Sequence, residues 1–425
     1  MWISHGSHWK TAPNKRGYLT DLTGKRQLTN GNWNGGFNMK NGCSNRKYDF
    51  DKITDRRNTG SVKFDSASAQ GKPEDILPLW VADMDFPAPP CVIDALVKRS
   101  QYGIFGYSIS GSEYFKVLRS WFSERFVWDT QPEWVIQTPG VVFAIHIAVR
   151  ALTEKGDAIL IQEPVYHSFS EAIGVNDRRK VVNPLAFSKG RYSIDFEDFE
   201  NKIVQNKVKL FILCSPHNPV GRVWTREELK RMGDICLKHD VIVVSDEIHA
   251  DFTYPGHQHH VFAGLNPEFS NRSVICTAPT KTFNLAGLQI SNIFISNPDI
   301  HRRFRQEMRK CGSRSVNLMG IIACRAAYEG GGEWLDELKH YLSGNLGFLR
   351  DFLRERLPQI KLVEPEGTYL VWLDFHALGL EEKELENFLV NRAGLWLETG
   401  TLFGEGGEGF QRMNIACPRS FLEKA

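Results

Sequence analysis

Between residues 134 and 296, short and almost wholly apolar runs alternate with stretches whose apolar positions recur every three or four residues. The short runs lie at 134–138, 158–162, 180–183, 209–214, 241–245, 273–277 and 288–296. The longer ones lie at 143–152, 166–174, 195–204 and 225–239, the last opened by Thr225, Arg226, Glu227 and Glu228 in the form of a capping box. Runs without a polar face must be covered on both sides. The alternation therefore predicts an α/β fold built on a mostly parallel sheet with helices on each face. Ligands of such sheets sit beyond the carboxyl ends of the strands.

The flanks follow other rhythms. Helices are expected at 91–99, behind Pro89 and Pro90, and at 112–125, where Tyr114, Val117, Leu118, Trp121 and Phe122 share one face. Between them, Gly103-Ile104-Phe105-Gly106-Tyr107 reads as a glycine-flanked aromatic loop. Upstream, 77–87 is a short apolar segment running into an acidic, proline-rich turn. Beyond Pro298, helical patterns at 301–312, 318–328, 334–356 and 381–391 mix with strand patterns at 361–363, 368–374, 394–397 and 411–415, which predicts a smaller α+β unit. The run 404–409 interleaves glycine with glutamate and reads as a mobile loop rather than a phosphate cradle. The chain should thus divide into a disordered extension over 1–47, a segment 48–85 that joins the small unit, a large unit 86–315 and a small C-terminal unit 316–425. Residues 420–425 look like a helix cut after its first turn, so a longer chain is expected to melt higher.

Composition narrows the function classes. The 425 residues carry a net charge of +2, which leaves no electrostatic footprint for nucleic acid. No apolar run approaches the roughly 18–20 residues that span a bilayer. The 8 cysteines form no C-x-x-C pair and read as reduced, mostly buried thiols of a cytoplasmic protein. His257, His259 and His260, behind Pro255 and Gly256, read as decoration of a loop rather than a metal site.

Candidate chemistry collects at the predicted strand ends. Strand 134–138 enters Pro139-Gly140-Val141-Val142 and a helix from 143, a turn whose N–H groups can seat an anion, although many such turns bind nothing. Strand 209–214 ends in Ser215-Pro216-His217-Asn218-Pro219-Val220-Gly221, a stiff turn in which the Asn218–Pro219 bond is a candidate for the cis form. Asn218 there either bonds its own backbone or faces a ligand. Strand 241–245 ends in Asp246-Glu247-Ile248-His249. An acid at the end of a buried strand is costly unless paired, so Asp246 is a salt-bridge or capping residue, or else the counter-ion of a buried cation. Lys281, between Thr280 and Thr282 and behind Pro279, is either a solvated loop cation or an amine placed to form a Schiff base.

Asn218, Asp246 and Lys281, in this order and in these turns, resemble the class I/II aminotransferase superfamily of pyridoxal phosphate (PLP) enzymes. The segments 79–86, 103–107, 246–249 and 278–289 are similar to one branch of it, the cystathionine β-lyase type of C–S lyases (the MalY/PatB group). The resemblance runs from about Tyr48 to the C-terminus. It implies the PLP-dependent transferase fold of type I, with PLP as cofactor. It also implies that Lys281 forms the Schiff base and, once released, takes the substrate Cα proton. Asp246 would pair with the pyridinium nitrogen, Asn218 would donate to the ring's phenolate oxygen, and Tyr166 would stack on the ring. The Val141 and Val142 backbone and the Thr280 hydroxyl would hold the phosphate. Tyr107 would reach the phosphate of a neighbouring subunit, which implies a homodimer with shared active sites, and is a candidate helper in proton transfer. Arg412 would clamp the substrate carboxylate, with Arg419 as a second contact or a surface charge. The wider superfamily commonly has a tyrosine where His249 stands, an arginine where Gln289 stands and a serine where Ala278 stands. His249 is retained as a cofactor-side residue, and the phosphate seat is expected to be less cationic. The reaction implied is β-elimination of L-cystathionine or a related cysteine S-conjugate to a thiol, pyruvate and ammonia. An aminotransferase and a PLP-binding regulator are the alternatives.

Overall fold

A seven-stranded sheet is the largest sheet of the computed structural model, which describes residues 48–425; the extension expected over 1–47 lies outside the described residues. Its order across the sheet is Val135–Thr138, Ser291–Phe294, Ser273–Thr277, Ile242–Asp246, Leu210–Cys214, Ala158–Ile161 and Arg179–Val182. Only Ser291–Phe294 runs against its neighbours; the other pairings are parallel. Alternate strand residues enter two separate cores. Ile159, Ile161, Leu210 and Ile212 pack with the helices Val141–Leu152 and Pro298–Lys310, whereas Leu160, Phe211 and Leu213 pack with Phe196–Asn206 and Arg226–Lys238. This is the doubly covered arrangement that strands without a polar face require. The capping box expected at Thr225 is formed with Glu228.

A second, antiparallel sheet joins Lys361–Val363, Leu370–Asp374, Phe410–Asn414 and Glu398–Thr399, backed by the long helix Gly332–Arg356. Leu77–Pro78 pairs in parallel with Leu395–Trp396. That pairing draws the segment after residue 78 across the face where the two sheets meet. The pattern gave no warning of the hairpin Ala186–Ser188 with Arg191–Ser193, whose strands are too short and too exposed to carry a period.

Three local expectations change. His259 does not decorate the loop surface: it is buried with Nε2 2.8 Å from the equally buried Glu247 Oε2. The glycine run beginning at 404 is pinned rather than loose, because the Glu405 N–H donates to Glu163 Oε2 at 2.9 Å and the Val165 N–H to Phe403 O at 2.8 Å. The strand expected over 288–296 is confined to Ser291–Phe294, since Ala286–Leu288 makes a 3-10 turn and Gln289 turns left-handed at φ 50°.

The turn that carries Asn218 is locked to the smaller sheet. The Gly221 carbonyl accepts from the N–H groups of Glu366 and Gly367 at 2.8 and 2.9 Å, and Arg222 pairs with Glu366 at 2.9 Å. Gly221 has φ 72°, and a Cβ there would lie 2.9 Å from the Cβ of Pro365. Gly221→Ala is expected to cost about 1–3 kcal/mol through backbone strain and overpacking together. Thermal unfolding of the variant should show the loss as a lower melting temperature.

Candidate active site

The parallel strands Leu210–Cys214, Ile242–Asp246 and Ser273–Thr277 are neighbours, with Cys214 opposite Asp246 and Asp246 opposite Cys276. Their carboxyl ends therefore bring the Asn218 turn, Asp246 and Lys281 to one edge. The Asn218–Pro219 bond is cis, as its sequence suggested. Lys281 lies on a single helical turn, Pro279–Thr282, rather than in an open loop.

Asp246 is buried, and no cation stands within 4.0 Å of it among the described residues. Among the described residues, its carboxylate accepts one hydrogen bond, from the Ile248 N–H at 3.1 Å. Burial, with the charge of Glu247, lifts the carboxyl from 3.8 to about 7, against the opposing effects of Ile248 N–H and Lys281. Neither structural explanation offered for this acid holds here, since it has no salt bridge and caps no helix; it is a buried acid in want of a cation. Lys281 shifts the other way. Burial, helped by the Arg412 charge, lowers the amine from 10.5 to about 8, while Asp83 and Asp246 oppose the change. Its Nζ donates to the carbonyl oxygen of Ala82 at 2.6 Å, and the Tyr369 hydroxyl donates to the same oxygen at 3.0 Å.

Arg412 projects from the smaller sheet to meet this edge. One Nη donates to Asn218 Oδ1 at 3.0 Å; the other donates to Trp80 O at 2.9 Å and to Glu398 at 3.2 Å. Phe403 lies beneath the guanidinium, 4.9 Å from ring centroid to Cζ. Asn218 and Arg412 are 194 positions apart in the chain and in direct contact in the fold. Tyr166 precedes the helix Ser168–Gly174, with its N–H on Asn218 O at 3.1 Å. Its hydroxyl feels both Arg412 and Asp246, and burial raises its pKa. His249 is buried against the Tyr369 ring, and burial together with Lys281 and Arg412 lowers its pKa to about 3, so the imidazole is neutral.

The helix after the first strand begins at Val141, two residues earlier than its sequence suggested. Val141 and Val142 are thus first-turn residues, whose N–H groups have no partner within the helix. Gly140 precedes them in extended backbone, and nothing lies within 4 Å of where its Cβ would be. Thr280 is buried beside Lys281 on the same turn.

Three further residues weighed from sequence stand apart from these contacts: Tyr107, expected at a neighbouring subunit's site, Gln289, noted only as standing where an arginine is common, and Arg419. Tyr107 is fully exposed on the loop after residue 102, along with Ile104, Phe105 and Ile109. Gln289 is exposed at the end of its 3-10 turn. Arg419 neither faces the site nor stands free in solvent: its Nε donates to Asn345 at 2.9 Å and its guanidinium covers Phe348. Conversely, Trp80, Ala82, Tyr369 and Glu398 touch Arg412 or the Lys281 contact and were not singled out from sequence. Trp80 and Ala82 contribute carbonyl oxygens, a chemistry that every residue shares. Their segment, 79–86, carried part of the family resemblance, but nothing in it marked these two carbonyls.

Three buried polar atoms at this edge have no partner among the described residues: Arg412 Nε, His249 Nδ1 and Ser215 Oγ. An unpaired buried acid, a depressed amine, a guanidinium with a spare donor and an open helix N-terminus together suit a ligand that has a protonated ring nitrogen, an aldehyde and a phosphate. Pyridoxal phosphate has these three groups. The chain belongs to the family of aminotransferases class I and II, whose family model matches residues 74–425. Within that PLP-dependent family, it is 44% identical over 374 residues to cystathionine beta-lyase PatB of Bacillus subtilis, covering 88% of this chain and 97% of that one. It is 33% identical to protein MalY of Escherichia coli, over 89% of this chain and 96% of that one. Among solved structures, cystalysin from Treponema denticola, which contains a pyridoxal 5'-phosphate cofactor, superposes with a TM-score of 0.87 at 39% identity, covering 89% of this chain and 97% of that one.

Proposed function

We propose that this protein is a PLP-dependent carbon–sulfur β-lyase that eliminates a thiol from L-cystathionine or a related cysteine S-conjugate, releasing pyruvate and ammonia. The single observation that carries the reading is the depressed amine of Lys281 beside the unpaired buried acid Asp246, in a chain this similar to a cystathionine β-lyase. When bound, PLP supplies an aldehyde for amine exchange and a ring that accepts electrons from the substrate Cα.

The chain's own residues divide the remaining work. Asp246 would hold the ring nitrogen's proton, Asn218 the ring oxygen, and Tyr166 a ring face. His249 lies on the cofactor side as a neutral group. Val141, Val142 and Thr280 would bind the phosphate. With a pKa of about 8, the Lys281 amine is partly neutral near pH 7–8, so it can take the Cα proton and pass it to the departing sulfur. Arg412 would clamp the α-carboxylate with its guanidinium fork. The exposed Tyr107 would serve the site of a second copy in a homodimer, where the apolar side chains around it would be covered. In this reading residues 86–315 carry the cofactor and 316–425 the carboxylate clamp. Among the described residues, no helix is long and apolar enough to cross a membrane. A cytoplasmic location is part of the proposal, and buried thiols such as Cys214, Cys236 and Cys276 support it.

Incubating the PLP-loaded protein with L-cystathionine tests the reading, with pyruvate and free thiol as the products to be measured. Consumption of a keto acid with no pyruvate formed would instead indicate transamination, and neither outcome would leave the regulator. Arg412→Lys should raise KM about 10–100-fold with a smaller change in kcat, because an ammonium cannot offer the planar fork. Steady-state kinetics on one substrate series separate the two constants.

A further inference from the structure

The segment 80–86 crosses the site without forming a strand or helix, and its backbone is tied by the Asp85 N–H on Ala416 O at 3.0 Å rather than by a ladder. Side chains hold its carbonyl groups instead. Arg412 donates to Trp80 O, Asn414 to Val81 O and Asp83 O, Lys281 and Tyr369 to Ala82 O, and Asn284 to Met84 O and Phe86 O. Two cations then clamp the segment from the side of the preceding chain, facing its own Asp83 and Asp85. Lys63 is fully buried, with Nζ 2.7 Å from Asp85 Oδ2 and 3.4 Å from Asp83 O. Arg56 forks across Asp83 at 2.6 Å and Asp85 at 2.7 Å, and also donates to Met84 O at 3.1 Å.

We infer that Arg56 and Lys63, through Asp83 and Asp85, are positioning residues that set the Ala82 carbonyl against the Lys281 amine. The inference rests on the reading of Lys281 as the proton-transferring group. Its physical basis is the cost of burying charge. A paired buried cluster adds little to stability that apolar residues of similar size could not supply, whereas it does specify one register. Here two cations face two acids that bracket Met84, so the segment cannot slide by a residue without separating buried charges. Ala82, one residue before Asp83, then has its carbonyl fixed 2.6 Å from Nζ. That contact holds an amine on a long, flexible side chain at one orientation when it is not covalently engaged. The charged groups facing Lys281 are Asp83 from this segment, Asp246 from the strand end and Arg412 from the smaller sheet, with titratable His249 and Tyr369 alongside.

The test compares Arg56→Met, Arg56→Lys and Lys63→Met in the PLP-loaded enzyme and in the cofactor-free chain. In the loaded enzyme, both methionine variants should lose about tenfold in kcat with KM changed less than about twofold, as expected when a reacting group is misplaced. Arg56→Lys, which keeps a cation facing both acids, should recover most of that loss. In the cofactor-free chain, the pH midpoint for acylation of Lys281, read by peptide mass spectrometry, should move up from about 8 toward 10.5 in the methionine variants, because a loosened segment admits water to the amine. If Lys63→Met does not fold, Arg56→Met carries the test, since that side chain sits at the partly exposed edge of the cluster. A folded Arg56→Met variant with an unchanged kcat and acylation midpoint would overturn the inference. Lyase activity surviving in Lys281→Ala would instead overturn the underlying reading, so the two failures are distinguishable.

Discussion

Lys281→Ala is expected to lower kcat/KM for β-elimination by at least about 10³-fold, the scale at which a positioned proton-transfer group and covalent catalyst act together. Among the groups that face Lys281, Asp83 and Asp246 are acids, Arg412 is a guanidinium that stays protonated, and burial leaves His249 neutral with a pKa of about 3. Lys281→Arg should be as inactive as the alanine variant. It keeps a cation at the position but cannot present a neutral base, so the pair separates loss of charge from loss of basicity. Both variants should remain folded, because the change removes a partly desolvated amine and one hydrogen bond to Ala82 O. Single-turnover pyruvate formation and circular dichroism on the same samples measure the two properties. Activity within tenfold of wild type in either variant would remove Lys281 from the mechanism.

Asp246→Asn is the second large effect, and it should divide function from stability. The amide keeps the size and the Ile248 contact of the carboxylate but cannot balance a cation, so kcat should fall about 10²–10³-fold, the cost of removing a preorganised electrostatic partner. The cofactor-free chain should respond in the opposite direction. The folded-state value of about 7 exceeds the ordinary 3.8. Between those values the folded chain holds a proton that the unfolded chain has lost, so this group's contribution to stability falls as pH rises from about 4 to about 7 and stays low above it. At pH 8, cofactor-free Asp246→Asn should therefore melt above cofactor-free wild type, and the gap should narrow by pH 5, where only part of the deficit has developed. PLP should raise the melting temperature of wild type more than that of the variant. A variant no more stable than wild type at pH 8 would mean that Asp246 has a partner that relieves its burial.

Much of this site was legible before any folding was considered. The carboxyl-end rule for parallel sheets pointed to Asn218, Asp246 and Lys281, and the fold brings these strand ends side by side. The turn weighed as an anion seat was also located, although its helix begins at Val141. Helix starts depend on how the first turn packs, and Gly140 in extended backbone gives no local signal of where that turn closes. The histidines after residue 256 show the opposite failure. A Pro-Gly pair marks a surface turn correctly, yet His259 is buried because Glu247, twelve positions earlier and equally buried, is its partner.

The sequence by itself determined most of the long elements, the doubly covered sheet and the identity of the residues at the strand ends, because each depends on a local period or on the chemistry of a single side chain. The contacts among them were decided by tertiary structure. Arg412 meets Asn218 from 194 positions away, and Lys281 bonds the carbonyl of Ala82 from 199 away. Such contacts leave no periodic trace, and a carbonyl oxygen has no sequence signature at all. The shifts of Asp246 and Lys281 belong to the same class: burial is the largest cause of each, and burial exists only once the two sheets have closed over the edge they share.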